Sequence, residues 1–287
     1  MKKLDLCCTV GHSILSNGEI TSADGTSTGG VNEYLWCKDF VKILVEEARK
    51  RPEFNRVDMI ICPERQFRSA REERTYKLNR INGKGYDLVV ESHLNCFNAK
   101  AKGTESLYYP TAKDSKAYAQ RINDYLDDIF VDRGAKGADL YILRETDCPA
   151  VLNEYFFCDN REDYLKADEY HEKVLIAKAV ISGIIAKNIM NETSTPSTNS
   201  NSGKVTIDGD QVFPNGDVNK TVVTTANLNC RTARNSSSAK IIKTLPKGTK
   251  IKLDYCLNGW ASTWDVTYVE NGKTKPTFVY TKYTDLV

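Results

Sequence analysis

Histidine is scarce in this chain: three residues, at positions 12, 93 and 171, among 287. Any histidine-based chemistry is confined to those positions. The nine cysteines, at 7, 8, 37, 62, 96, 148, 158, 230 and 256, are an odd number with no C-x-x-C pair. That argues against both a disulfide framework and a cysteine metal site, and they read as small buried hydrophobes. No apolar run reaches the roughly 20 residues that a membrane helix needs. The opening, Met1-Lys-Lys-Leu-Asp-Leu-Cys-Cys, meets Asp5 and then His12 before an apolar segment of signal-peptide length develops, so no secretory signal is expected. An excess of one charge is missing too: 40 Lys and Arg against 38 Asp and Glu leave a formal net charge of +2. This is too little to argue for a nucleic-acid groove. After residue 190, 12 Lys and Arg face 8 Asp and Glu, a modestly basic tail.

The length favours two domains. Residues 193 to 203, Thr-Ser-Thr-Pro-Ser-Thr-Asn-Ser-Asn-Ser-Gly, offer nothing apolar to bury and have the composition of a flexible linker. The expected division is a catalytic domain over 1–190, a linker over 191–203 and a second domain over 204–287. In the first, apolar runs of strand length (Leu4 to Val10, Val57 to Cys62, Tyr86 to Ser92, Glu105 to Tyr109, Ala150 to Phe157) alternate with segments of helical period. The pattern predicts an α/β fold, a mixed sheet flanked by helices. A helix follows Gly30, with Val31, Tyr34, Leu35, Val41, Leu44, Val45 and Ala48 as its apolar positions, and a last helix spans roughly Tyr170 to Met190. Beyond the linker, short β-rich runs are broken by turn signals at Pro214-Asn-Gly, Pro246-Lys-Gly, Asn258-Gly and Asn271-Gly, which predict a small all-β barrel. The stretch between Gly203 and Thr221 is either an extra hairpin or more linker.

Two histidines fall at the ends of predicted strands, where α/β sheets place their sites. His12 sits in a Gly11-His12-Ser13 loop after the first strand, and His93 ends Asp87-Leu-Val-Val-Glu-Ser-His93. His171, among charged residues in a helix, reads as solvated. Glu33 opens the helix after Gly29-Gly30, where the helix dipole also favours a carboxylate. Glu154 interrupts the apolar strand Ala150-Val-Leu-Asn-Glu-Tyr-Phe-Phe157. An unpartnered charge there costs several kcal/mol, so a function or a compensating cation is expected. A metal ion would compensate it.

The order Gly11-His12, Asn32-Glu33, His93-x-Asn95 and Pro149-Ala-Val-Leu-Asn-Glu154 resembles the zinc-dependent N-acetylmuramoyl-L-alanine amidases over essentially residues 4 to 190. Arg74-x-x-x-Leu-Asn79, Lys102-Gly-Thr-Glu105 with Tyr108-Tyr109, and Leu143-Arg-x-Thr146 extend the match. The resemblance implies that His12, Glu33 and His93 bind Zn²⁺ and that Glu154 is the catalytic carboxylate. Two imidazoles and one carboxylate leave tetrahedral zinc a position for water, as hydrolytic sites do. The chain departs from the family's usual pattern at Ser13, at Glu91-Ser92 and at Tyr155-Phe156-Phe157. Glu91 shares a strand face with His93. A salt bridge with an arginine is its expected role, the alternatives being a partner for a ligand imidazole or a fourth metal contact.

The C-terminal run Leu228-Asn-Cys-Arg231, Lys240-Ile-Ile-x-x-Leu-Pro-Lys-Gly248-Thr and Asn258-Gly-Trp260 resembles bacterial SH3 domains over about residues 221 to 287. Trp260, Trp264, Tyr255, Tyr280 and Tyr283 divide between core and a wall-binding groove. Together the two resemblances imply a phage or prophage endolysin that hydrolyses the amide between N-acetylmuramic acid and L-alanine in the peptidoglycan of Gram-positive walls. Such a protein is made in the bacterial cytoplasm without a signal peptide and released by a holin, with no nucleic-acid partner and no membrane insertion. The rivals are a zinc peptidase cutting elsewhere in the stem peptide and a non-catalytic wall-binding protein. The linker composition generates one prediction: limited proteolysis cuts near 191 to 203 and yields two fragments that each retain a cooperative unfolding transition. Loss of structure in both fragments on nicking would contradict it.

Overall fold

The computed structural model describes residues 2–168, 170–190, 205–207, 210–214, 216–234, 239–257, 259–270 and 272–287. The expected linker lies outside them. The chain divides into two compact units, Met1–Glu192 and Thr193–Val287.

In the first unit, strands β1 (Leu4–Val10), β2 (Phe54–Ile60), β3 (Leu88–Asn95), β4 (Thr104–Tyr108), β5 (Asp132–Gly137) and β6 (Ala150–Phe157) form one sheet in the order β2-β1-β3-β6-β4-β5. Its helices are α1 (Glu33–Arg49), α2 (Ala70–Ile81), α3 (Lys113–Leu126), α4 (Tyr141–Glu145), α5 (Arg161–Tyr164) and α6 (Tyr170–Ile185). All neighbouring strands run parallel except β4 and β6, so the sheet is mixed. A parallel sheet needs cover on both faces, and its central strands read as near-continuous apolar runs for that reason. Leu6, Cys7, Cys8 and Val10 of β1 are all fully buried. One face carries an aromatic cluster in which Trp36 stacks on Phe40 of α1 and both meet Tyr155 of β6. The other face packs Val89 and Leu152 against Ile81 of α2 and Ile142 and Leu143 of α4.

β1 and β6 have the predicted bounds, and the other three predicted strands are displaced by one to three residues. Strand β5, Asp-Arg-Gly-Ala-Lys-Gly, is new: it lies at the sheet edge with no buried residue, so no apolar pattern announces it. The last helix stops at Ile185 rather than Met190, since Ala186 turns into the left-handed region at φ 53°. Seven cysteines are buried as expected, whereas Cys96 is exposed and Cys148 half-buried.

In the second unit, β7 (Val205–Ile207) and β8 (Asp210–Val212) form a separate antiparallel hairpin. This resolves the undecided stretch before Thr221 in favour of strand structure. The remaining strands are β9 (Gly216–Thr224), β10 (Leu228–Arg231), β11 (Ile241–Leu245), β12 (Lys250–Leu257), β13 (Trp260–Glu270), β14 (Lys273–Tyr280) and β15 (Thr284–Leu286). They form a sheet in the order β11-β10-β14-β13-β12-β9-β15. Its core includes Val222, Leu228, Cys230, Leu253, Cys256 and Val279. Gly248, Gly259 and Gly272 take positive φ in the connections between β11, β12, β13 and β14, where the turn signals stood. The aromatic residues sort by burial. Tyr255 is buried, Trp264 is half exposed, and Trp260, Tyr280 and Tyr283 run together with ring centroids 5.2 and 6.3 Å apart.

Among the described residues no helix is long and apolar enough to cross a membrane. Gly183 of α6 lets α3 approach closely, because a Cβ there would lie 2.5 Å from the Ile122 Cα. The Gly183 carbonyl also accepts a bond of 2.9 Å from Arg121 Nε. Gly183→Ala should destabilise the first unit by about 1–3 kcal/mol despite alanine's better helix propensity. Denaturant unfolding of the full chain checks this, and an unchanged or raised midpoint would refute it.

Candidate metal centre

The site forms at the C-terminal ends of adjacent parallel strands, where side chains from three chain segments converge. β1 ends at Val10, and His12 follows with φ 57°, a left-handed conformation uncommon for a residue with a Cβ. Gly11 between them has no alternative: a Cβ there would lie 2.0 Å from Cε1 of His93. The loop from His12 to Val31 returns to the sheet through Gly30, whose missing Cβ would lie 1.9 Å from the Cys158 carbonyl oxygen. Asn32 then caps α1 by accepting from Leu35 N, which places Glu33 in the first helical turn.

Glu33 is 4 % exposed and its carboxylate is fully engaged. Oε1 lies 3.2 Å from His12 Nε2 and 3.0 Å from His93 Nδ1, and it accepts from Leu94 N at 3.1 Å. Oε2 accepts from Ala23 N at 3.1 Å. Burial alone would raise the Glu33 pKa, but the hydrogen bonds from the two imidazoles outweigh it and hold the carboxyl well below its usual range. The rings of His12 and His93 meet edge to face, with centroids 4.9 Å apart. One ligand atom from each of His12, Glu33 and His93 lies within 4.8 Å of the others. This donor set of two nitrogens and one carboxylate oxygen suits a divalent transition-metal ion and leaves a coordination position over.

Glu154 lies directly across from His93 in the parallel register of β3 and β6, and across from Glu105 in the antiparallel register of β4 and β6. Its Oε2 is buried and has no hydrogen-bond partner among the described residues. Burial pushes its pKa up to about 7; His93 pulls against the shift, while the carboxylates of Glu33, Glu105 and Glu91 add to it. A carboxyl that titrates near neutrality can both take up and release a proton there. Glu105 itself accepts from Asn95 Nδ2 at 2.8 Å and pairs with Arg133 and Lys136.

The structure therefore brings His12, Glu33, His93 and Glu154 to one end of the sheet. His171 stands on α6. Glu91 departs from expectation: its partner is a lysine, not an arginine, and it also meets the imidazole. Glu91 Oε2 lies 2.5 Å from Lys77 Nζ, and Oε1 lies 3.1 Å from His93 Nε2. Burial would raise the Glu91 pKa, but Lys77 and His93 bring it down to about 2. Between its two carboxylates, and against the burial that disfavours its charge, His93 is raised to about 10. Lys77 is the residue that sequence patterning missed. The available signal was its place on the stripe Glu73, Lys77, Ile81, spaced by four along α2 and wholly buried. A cleft of about 260 Å³ opens beside this cluster, lined by His12, Arg74, Lys77, Glu91, His93 and Tyr141 among others.

Residues 10–186 match the family model described as N-acetylmuramoyl-L-alanine amidase. The chain is 35 % identical over 156 residues to an uncharacterised cell wall amidase of Bacillus anthracis, covering 51 % of this chain and 27 % of that protein. To the endolysin of Bacillus phage SPP1 it is 34 % identical over 104 residues, 33 % of this chain and 38 % of the endolysin. It thus spans less than two fifths of the length of these two relatives. Among solved structures, the catalytic domain of the CD27L endolysin targeting Clostridia difficile superposes with a TM-score of 0.60 at 47 % identity, over 65 % of this chain and 99 % of that one. With the family model matched over residues 10–186, which hold every residue of the cluster, this chain belongs to the N-acetylmuramoyl-L-alanine amidase family.

Proposed function

We propose that the chain is a zinc-dependent N-acetylmuramoyl-L-alanine amidase that lyses bacterial walls as an endolysin. The observation that carries the activity is the pairing, on adjacent strands, of a His-Glu-His donor cluster with Glu154, a half-buried carboxylate whose buried Oε2 has no hydrogen-bond partner among the described residues. His12, Glu33 and His93 would hold the zinc ion. When bound, zinc supplies Lewis acidity to the scissile carbonyl and to water. Glu33 keeps its negative charge and, bonded to two backbone N–H groups, presents it in a fixed direction. Glu154 takes the proton from the attacking water and delivers it to the departing L-alanine nitrogen, which leaves poorly until protonated. Its pKa near 7 suits both transfers.

The C-terminal unit, residues 204–287 in this reading, acts as an SH3-like wall anchor. The contiguous rings of Trp260, Tyr280 and Tyr283 and the basic tail support that role toward the anionic walls of Gram-positive bacteria. A holin is the partner for release in a phage-encoded setting. Digestion of purified walls with mass analysis tests the whole reading. New L-alanine amino termini should appear, and products cleaved elsewhere in the stem would refute the bond assignment.

Replacing His12, Glu33 or His93 by Ala should each lower zinc content and abolish wall lysis, and chelation should inactivate reversibly. A fully lytic His93→Ala protein would remove the metal reading. Glu154→Gln should keep zinc and the folded state while lysis falls by roughly two to four orders of magnitude. That loss corresponds to about 3 to 5 kcal/mol of transition-state stabilisation. Zinc content, thermal midpoint and lysis measured on one preparation check it. An emptied site would make Glu154 a ligand instead, and a zinc-loaded, fully lytic variant would reject its catalytic role.

A further inference from the structure

Lys77 and Glu91 are 2 and 1 % exposed and face one another across 2.5 Å beneath the donor cluster. A wholly buried ion pair is a poor stabilising device, since apolar residues of similar volume often serve a core as well or better. Its location points to another role. Lys77 Nζ also donates to the Val10 carbonyl oxygen at 3.0 Å. Through this one ammonium, α2 therefore ties the end of β1, two residues before His12, to Glu91 on β3, two residues before His93. The Glu91 carboxylate spends one oxygen on Lys77 and turns the other to His93 Nε2 at 3.1 Å. His93 Nδ1, on the opposite side of the ring, faces Glu33.

We propose that Lys77 and Glu91 are a positioning pair that selects the tautomer and orientation of His93 for metal binding. Glu91 Oε1 accepts a hydrogen bond from Nε2–H while Lys77 fixes its other oxygen. With Nε2 as the nitrogen that keeps its proton, metal binding would displace the proton that Nδ1 shares with Glu33 and use the Nδ1 lone pair on the side of Glu33 and His12. Carboxylate partners of this kind orient a ligand imidazole and raise its basicity, and losing one typically weakens metal binding roughly 10- to 100-fold. Lys77 holds Glu91 in place and joins the two histidine-bearing strand ends. This inference rests on the metal reading above.

The test uses full-length protein carrying Lys77→Met with Glu91→Leu, and a companion carrying Lys77→Met with Glu91→Gln. Neither leaves a lone buried charge, so both should fold with a thermal midpoint near wild type. The Leu double variant should bind zinc roughly 10- to 100-fold more weakly in chelator competition, while the Gln companion, which keeps an oxygen for Nε2–H, recovers most of the affinity. A purely structural pair would move the midpoint without this split. In long-range ¹H–¹⁵N spectra of the zinc-loaded wild type, His93 should be protonated on Nε2. Wild-type zinc affinity in the folded Leu variant, or a proton on Nδ1 in the wild type, would overturn the positioning role alone. A wild-type protein that takes up no zinc would overturn the metal reading along with it.

Discussion

The Glu33 carboxylate is the junction on which the first unit's site depends. It meets His12 from the loop after β1, His93 from β3, and the backbone N–H groups of Ala23 and Leu94, so two side chains and two backbone groups share two oxygen atoms. Such a convergence holds only if each segment is fixed from outside. Gly11 and Gly30 allow the backbone approaches, Asn32 sets the start of α1, and the sheet register fixes His93. The left-handed turn at His12 belongs to the same set of constraints: strain of this kind persists where the surroundings over-determine the conformation.

Around this junction lie three further carboxylates with different environments, and the differences give each a different chemistry. Glu91 is buried but compensated by Lys77 and His93, so it stays ionised. Glu105 is half-buried and held by Lys136 and Arg133, which keep it below its ordinary pKa despite burial. Glu154 is half-buried, makes no ion pair with a lysine or arginine among the described residues, and titrates near neutrality. One end of the sheet thus carries carboxylates held ionised and, beside them, one that titrates near neutrality.

The second unit solves a different problem. A small sheet has little core to fill, and Leu228, Leu253, Cys230, Cys256 and Val279 fill it together with Tyr255. The rings of Trp260 and Tyr280, half-buried, and of Tyr283, exposed, lie next to one another. Aromatic rings gathered in this way combine apolar area with polar tips, a property suited to recognition surfaces.

The alternation of apolar strands with amphipathic segments determined the α/β class of the first unit, and β1 and β6 are legible to the residue because buried parallel strands leave uninterrupted apolar runs. The four proposed site residues were legible for different reasons: His12 and His93 through the scarcity of histidine, Glu154 as a charge in an apolar strand, and Glu33, where a helix dipole alone would favour a carboxylate, through the family resemblance. Strand β5 escaped because an edge strand with no buried residue needs no apolar residues, and the end of α6 escaped because alanine rather than glycine adopts the left-handed turn at 186. Lys77 escaped because a lysine on a helix is ordinarily solvated, and only packing α2 over β3 brings its ammonium to a carboxylate fourteen residues away in sequence. Tertiary structure alone decided which oxygen of Glu91 faces the lysine and which nitrogen of His93 faces Glu33. A sequence specifies donors and acceptors, but hydrogen-bond partnership depends on ångström-scale distances that arise only when the helix has docked on the sheet.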